Sequence, residues 1–176
     1  MMERQQTSED AVMTRIGQVV MLLHAGDREE ARNRFGALWT EIGETGDALH
    51  RCTLAHYMAD TQDDPGDELA WDLRALTAAD GYGDGYGDGE GDGYGDTGAA
   101  RDADGGASVA SAVRAFYPAL HLNLAADYAK LQRPGAARHH LDRARAAAGA
   151  LGDGGCGQGV WAGIDRLERS LRSRGQ

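Results

Sequence analysis

Residues 121–148 read HLNLAADYAKLQRPGAARHHLDRARAAA. The spacing predicts two antiparallel helices joined by a short turn. Leu124, Ala125 and Tyr128 recur at helical spacing before Gln132-Arg133-Pro134, and Ala137, Leu141 and Ala144 recur after it. Pro134 suits a first helical position, where its missing N–H is not needed. Small side chains at Ala125, Ala137 and Ala144 let the helices approach closely, while Leu124 and Leu141 fill the space between helix pairs.

This order of a large-small pair, an aromatic, a turn and then small-large-small resembles a tetratricopeptide repeat, best matched over residues 119–148. Two looser copies precede it. In VVMLLHAGDREEARNRFGALW, residues 19–39, the matching positions are Leu22, the Gly26-Asp27 turn, Ala31 and Phe35; Val19 replaces the small residue. In LAHYMADTQDDPGDELAWDLRAL, residues 54–76, Leu54-Ala55 and Met58 match but the turn is longer, so Leu69 or Ala70 takes the next small position. The resemblance implies an all-α fold in which antiparallel helix pairs stack as a short right-handed superhelix with a C-terminal capping helix. The chain is also similar to a group of actinobacterial proteins with tetratricopeptide-like folds, a likeness that implies architecture and no activity.

The flanking sequence predicts further helices over 8–25, 27–43, 47–61 and 66–79, and over 108–131 with a bend at Pro118. Ser8 and Asp47 are candidate caps. Leu69, Trp71, Leu73 and Leu76 are the expected apolar members of the 66–79 helix. A final amphipathic helix over 158–173 turns Val160, Trp161, Ile164, Leu167 and Leu171 inward. No segment alternates with period two over a useful length, so no sheet is expected.

Residues 81–106 read GYGDGYGDGEGDGYGDTGAARDADGG and hold 11 of the 26 glycines. Such a tract can bury almost nothing, which predicts a flexible linker or low-complexity insertion. It lacks the apolar residue of a glycine-aspartate calcium repeat and the Lys of a phosphate loop. It divides the chain into helical segments 1–80 and 107–176, expected to pack as one domain because either alone would leave repeat faces uncovered.

The chain has 176 residues and a net charge of −10. Residues 1–80 carry 7 Arg against 16 acids, a net of −9, and residues 107–176 carry 10 basic residues against 5 acids, a net of +5. This balance speaks against nucleic acid as a partner. It allows homo-oligomerisation through opposite halves, although solvated helix faces account for it more simply. The start, MMERQQTSEDAVMTR, has no signal-peptide pattern, and the apolar run Val19–Leu23 is too short for a bilayer. Cys52 and Cys156 lie far apart with no C-x-x-C, which fits a reducing, cytoplasmic setting.

The polar residues that could carry function gather at HRCTLAHYMAD, residues 50–60. Cys52, His56 and Asp60 share one helix stripe by their i, i+4, i+8 spacing. The resemblance places this stripe in the concave groove where tetratricopeptide proteins bind peptides. It thereby implies a non-catalytic adaptor for a protein or peptide partner, with His50, Cys52, His56, Asp60, Tyr117 and His121 lining the groove. Thiolate and imidazole at Cys52 and His56 could alternatively begin a metal or thiol site, but three or four converging ligands are needed. The plainer reading makes Cys52 a core filler and His56 a packing residue. Asp60, Asp63, Asp64, Asp67, Glu68 and Asp72 could supply paired carboxylates of raised pKa; helix capping explains them more simply. His139-His140, beside Arg138, Arg143 and Arg145, reads as a basic helix face or a small anion site. No G-x-S-x-G, H-E-x-x-H or dinucleotide fingerprint appears, and no cofactor is expected.

Overall fold

Apolar residues at helical spacing, bounded by turn residues, make the chain helical wherever it is described. The structure is a computed structural model, and it describes residues 2–83, 106–151 and 158–173. In order these form α1 (Met2–His24), α2 (Arg28–Ile42), α3 (Ala48–Ala59), α4 (Pro65–Gly83), α5 (Gly106–Lys130), α6 (Pro134–Ala150) and α7 (Gln158–Ser173). Among the described residues there is no strand, so the fold is all-α. No helix among them is long and apolar enough to cross a membrane.

Local chemistry sets the ends. At the α1–α2 turn Gly26 adopts φ 95, a left-handed conformation that costs a glycine little. The Asp27 N–H then reaches back to the Leu22 carbonyl at 3.1 Å and closes α1. Asp47 caps α3 as expected, accepting from the N–H groups of Leu49 at 2.9 Å and His50 at 3.1 Å. Asp64 does the same ahead of α4, accepting from Gly66 and Asp67. Pro134 opens α6.

Several boundaries differ from expectation. Helix α1 begins at Met2, so Ser8 lies inside it rather than capping it; residues 2–10 contain no glycine or proline to stop the helix. Helix α4 continues to Gly83, anchored by Ala78 and Ala79 buried against α5, so residues 81–83 are helix and not linker. Residues 84–105, most of the expected linker, lie outside the described residues, as do 152–157 of the glycine-rich turn with Cys156. Helix α5 runs through Pro118 without interruption. The ring removes one backbone donor, and Pro118 is fully buried.

Packing is serial. Each helix contacts the next, and α1 meets α3, α3 meets α5 and α5 meets α7. The even-numbered helices stand further apart; Trp39 of α2 reaches Trp71 of α4 edge to face, with ring centroids 5.1 Å apart. The core is correspondingly three clusters in a row. Ile16, Phe35 and Leu54 centre the first, between α1, α2 and α3. Cys52, Ala55, Ala75, Ala79 and Leu120 make the second, between α3, α4 and α5. Ala125, Ala137, Leu141, Ala144 and Ile164 make the third, between α5, α6 and α7.

One helix buries residues other than its large apolar members, and one expected inward face needs correction. In α4 the buried stripe is Asp72, Ala75 and Ala79, while Leu73 is 39% exposed and Leu69, Trp71 and Leu76 sit at the edges. Close approach of α3 and α5 on both sides demands small residues there. In α7, Ile164 and Leu171 are buried but Trp161 is 37% exposed, one position off the 160–164–167–171 stripe.

Candidate functional site

The HRCTLAHYMAD stripe runs from the core to the surface. Cys52 has no exposure. Burial, and next the nearby charges of Asp80 and Asp72, push its thiol up to about 12, the opposite direction to an activated thiolate. His50 is buried two residues earlier, its Nδ1 3.8 Å from the capping Asp47. His56 is half-buried and packs against the rings of Tyr57 and Phe116. Its Nδ1 lies 3.3 Å from Asn123 Nδ2 on α5 and 3.8 Å from Asp72 Oδ1 on α4. Asp60 closes α3 and is exposed as a residue. Desolvation by the surrounding chain nevertheless raises its carboxyl; His56 and Lys130 oppose that, and Asp72 and Glu68 add to it.

The structure therefore joins His56 and Asp60, but their neighbours are Asp72 and Glu68 of α4 and Asn123, Asp127 and Lys130 of α5. Asp72 and Asp127 are each 1% exposed. Lys130 Nζ donates to both oxygens of Glu68 at 2.6 Å and lies 3.4 Å from Asp127 Oδ1. Burial pulls the Lys130 ammonium down, but Glu68 and Asp127 outweigh it and leave its pKa raised. Burial, then the charges of Asp72 and Glu68, raise the Asp127 carboxyl to about 8, against the pull of Lys130.

Sequence reasoning placed Asp72 in the capping cluster and passed over Asp127. Both fall on buried stripes, 72–75–79 in α4 and 120–124–127 in α5. A carboxylate at helical spacing within an otherwise apolar stripe was the available signal. Of the other acids in that cluster, Asp63 pairs with Arg28 and Arg32 at 2.8 Å, and Arg32 also donates to the Thr61 carbonyl at the end of α3. Among the described residues no three His, Cys, Asp or Glu side chains are placed to hold a metal ion.

Tyr117 and His121 form a separate group along α5. The Tyr117 hydroxyl donates to Asp80 Oδ1 at 2.8 Å. His121 is buried with its Nδ1 3.0 Å from His140 Nδ1, and Arg143 Nε donates to its Nε2 at 3.4 Å. Tyr128 stacks on His140 with centroids 5.4 Å apart. Burial, then His140 and Arg143, push His121 down to about 4, and burial also lowers His140. The pair expected as part of a basic surface thus has one member, His140, built into the α5–α6 contact.

No family model matches this chain, no curated protein matches it, and no solved structure matches it.

Proposed function

We propose that the chain is a non-catalytic binding module, a short right-handed superhelix of helix pairs of the tetratricopeptide kind, that holds a protein or peptide segment along its odd-numbered helices. The observation that carries this reading is the serial contact of α1 with α3, α3 with α5 and α5 with α7. Such a layer offers a continuous face built from neighbouring helices. The burial of Leu124, Ala125, Ala137, Leu141 and Ala144, the positions at which the sequence resembles the repeat, supports the same reading. On α3 and α5 that face presents polar groups, His56, Asp60 and Asn123, with Tyr117 beyond them. A short list of rigid polar and aromatic anchors is what peptide recognition on such a scaffold requires.

A photo-crosslinker placed at position 60 tests this in the native host, with the crosslinked segment sequenced and then remade as a synthetic peptide. The expected result is one segment whose affinity falls by about tenfold or more when His56 and Asp60 are both replaced by Ala. Crosslinks from position 60 no more selective than those from exposed positions 30 and 138, on the even-numbered helices, would sink the reading.

A further inference from the structure

The α4–α5 contact holds a pair of groups that peptide binding does not use. Asp72, in the second turn of α4, and Asp127, in the last turn of α5, are both nine-tenths buried or more. They are brought together from both ends: His56 lies 3.8 Å from Asp72 and 3.3 Å from Asn123, one turn before Asp127, while Lys130 ties Glu68, one turn before Asp72, to Asp127. Carboxylates only accept hydrogen bonds, so two ionised ones face to face have no donor between them. Of their four oxygens, Asp127 Oδ1 alone meets a donor, Lys130 Nζ at 3.4 Å. Both oxygens of Asp72 and the second oxygen of Asp127 are buried with no hydrogen-bond partner among the described residues; His56 Nδ1, 3.8 Å from Asp72 Oδ1, stands beyond hydrogen-bond reach. Leaving them so is costly twice over, through lost hydration and through repulsion of like charges. A single proton held between the two groups removes one charge and supplies the missing donor.

We propose that Asp72 and Asp127 share one proton, and that this proton couples the first four helices to the last three, so that its loss loosens the α4–α5 contact. The inference stands apart from peptide binding and does not depend on it.

The surrounding charges fit. From α3 the pair faces His56 and Asp60, from α4 Glu68, and from α5 Lys130. The Lys130 ammonium is already held by both Glu68 oxygens at 2.6 Å, which leaves it a poor counter-ion for a second carboxylate. On α6, His140 and Arg143 face His121 instead. The direction in pH follows from linkage. The Asp127 carboxyl is raised to about 8 in the folded chain, whereas an unfolded aspartate releases its proton near 3.9. The folded state therefore keeps a proton that the unfolded state gives up. The associated stability is full at low pH and is lost as the pH rises from the carboxylate range through about 8.

The test uses the full-length chain labelled with carbon-13, following aspartate carboxyl carbons by NMR from about pH 4 to about pH 9. Amide hydrogen exchange is measured at both ends of the neutral-to-alkaline range and corrected for base catalysis. The expected result is an aspartate carbon that titrates at neutral pH or above and is lost in Asp127→Asn. Exchange in the facing turns of α4 and α5 should accelerate at least about tenfold at the alkaline end in the wild type and stay level in Asp127→Asn, whose amide can donate to Asp72 in the proton's place. Wild-type aspartate carbons that all titrate in the ordinary carboxylate range would overturn the proposal. So would an elevated titration with no change in exchange, or an exchange change that persists in Asp127→Asn. If that variant does not fold, the wild-type titration and exchange decide alone.

Discussion

Gln132 carries the reversal between α5 and α6 in an unusual conformation. Its φ is 58, in the left-handed region that glycine prefers. The sequence explains why the reversal falls there. Pro134 keeps Arg133 out of the helical region, at φ −111, so the residue before must turn the chain. The Arg133 N–H then donates to the Tyr128 carbonyl at 2.8 Å and closes α5. Because the Gln132 side chain is exposed, Gln132→Gly should relieve the strain and raise the unfolding free energy by roughly 0.5 kcal/mol, net of the added freedom of the unfolded chain. A urea midpoint unchanged or lowered would refute this. At this scale the sequence was legible where one residue acts on its own backbone, as Asp47 and Asp64 do. For Asp72 and Asp127 the sequence carries a local signal of burial, their place on apolar stripes, but none of their pairing, which joins residues 55 positions apart.

The α5–α6 pair illustrates what a helix contact adds. His121 is 2% exposed, and its folded pKa of about 4 lies below the ordinary histidine value of 6.5. A base whose pKa is depressed on folding stabilises the protein above its unfolded pKa. That contribution is lost as the pH falls from 6.5 toward about 4, when the unfolded chain takes up a proton that the buried imidazole refuses. The wild type should therefore lose stability to acid relative to His121→Gln, by on the order of 2 kcal/mol between neutral pH and about pH 4. Comparing the two chains cancels the opposite slope of the aspartate pair. Parallel stability curves for the two, in urea unfolding followed by helicity, would rule the effect out. Elements themselves were largely legible. The 158–173 helix was bounded correctly because glycines flank a strong amphipathic period. The apolar members named for α4, Leu69, Trp71, Leu73 and Leu76, did not by themselves single out the alanines that a contact on two sides buries.

Across the whole molecule, free energy is distributed by position in the row. Among the described residues, helices α3, α4 and α5 have neighbours before and behind them, whereas α1 and α7 are covered on one side. Native-state hydrogen exchange should therefore show α1 and α7 opening at lower free energy than α3 to α5. One common opening energy for all seven helices would contradict it. Helix number and order could be read from the sequence, since both follow from local periodicity and turns. The way the row stacks depends on contacts that no single segment encodes. The α4–α5 contact has a last consequence. It spans the interval from Gly83 to Gly106, so the two halves meet as surfaces and are also joined as one chain. Their association is thus a binding equilibrium in which each half is the other's ligand at a fixed local concentration. Severing the chain inside that interval would convert a property independent of dilution into one that depends on it, and would make the strength of the joint measurable as an ordinary dissociation constant between two polypeptides.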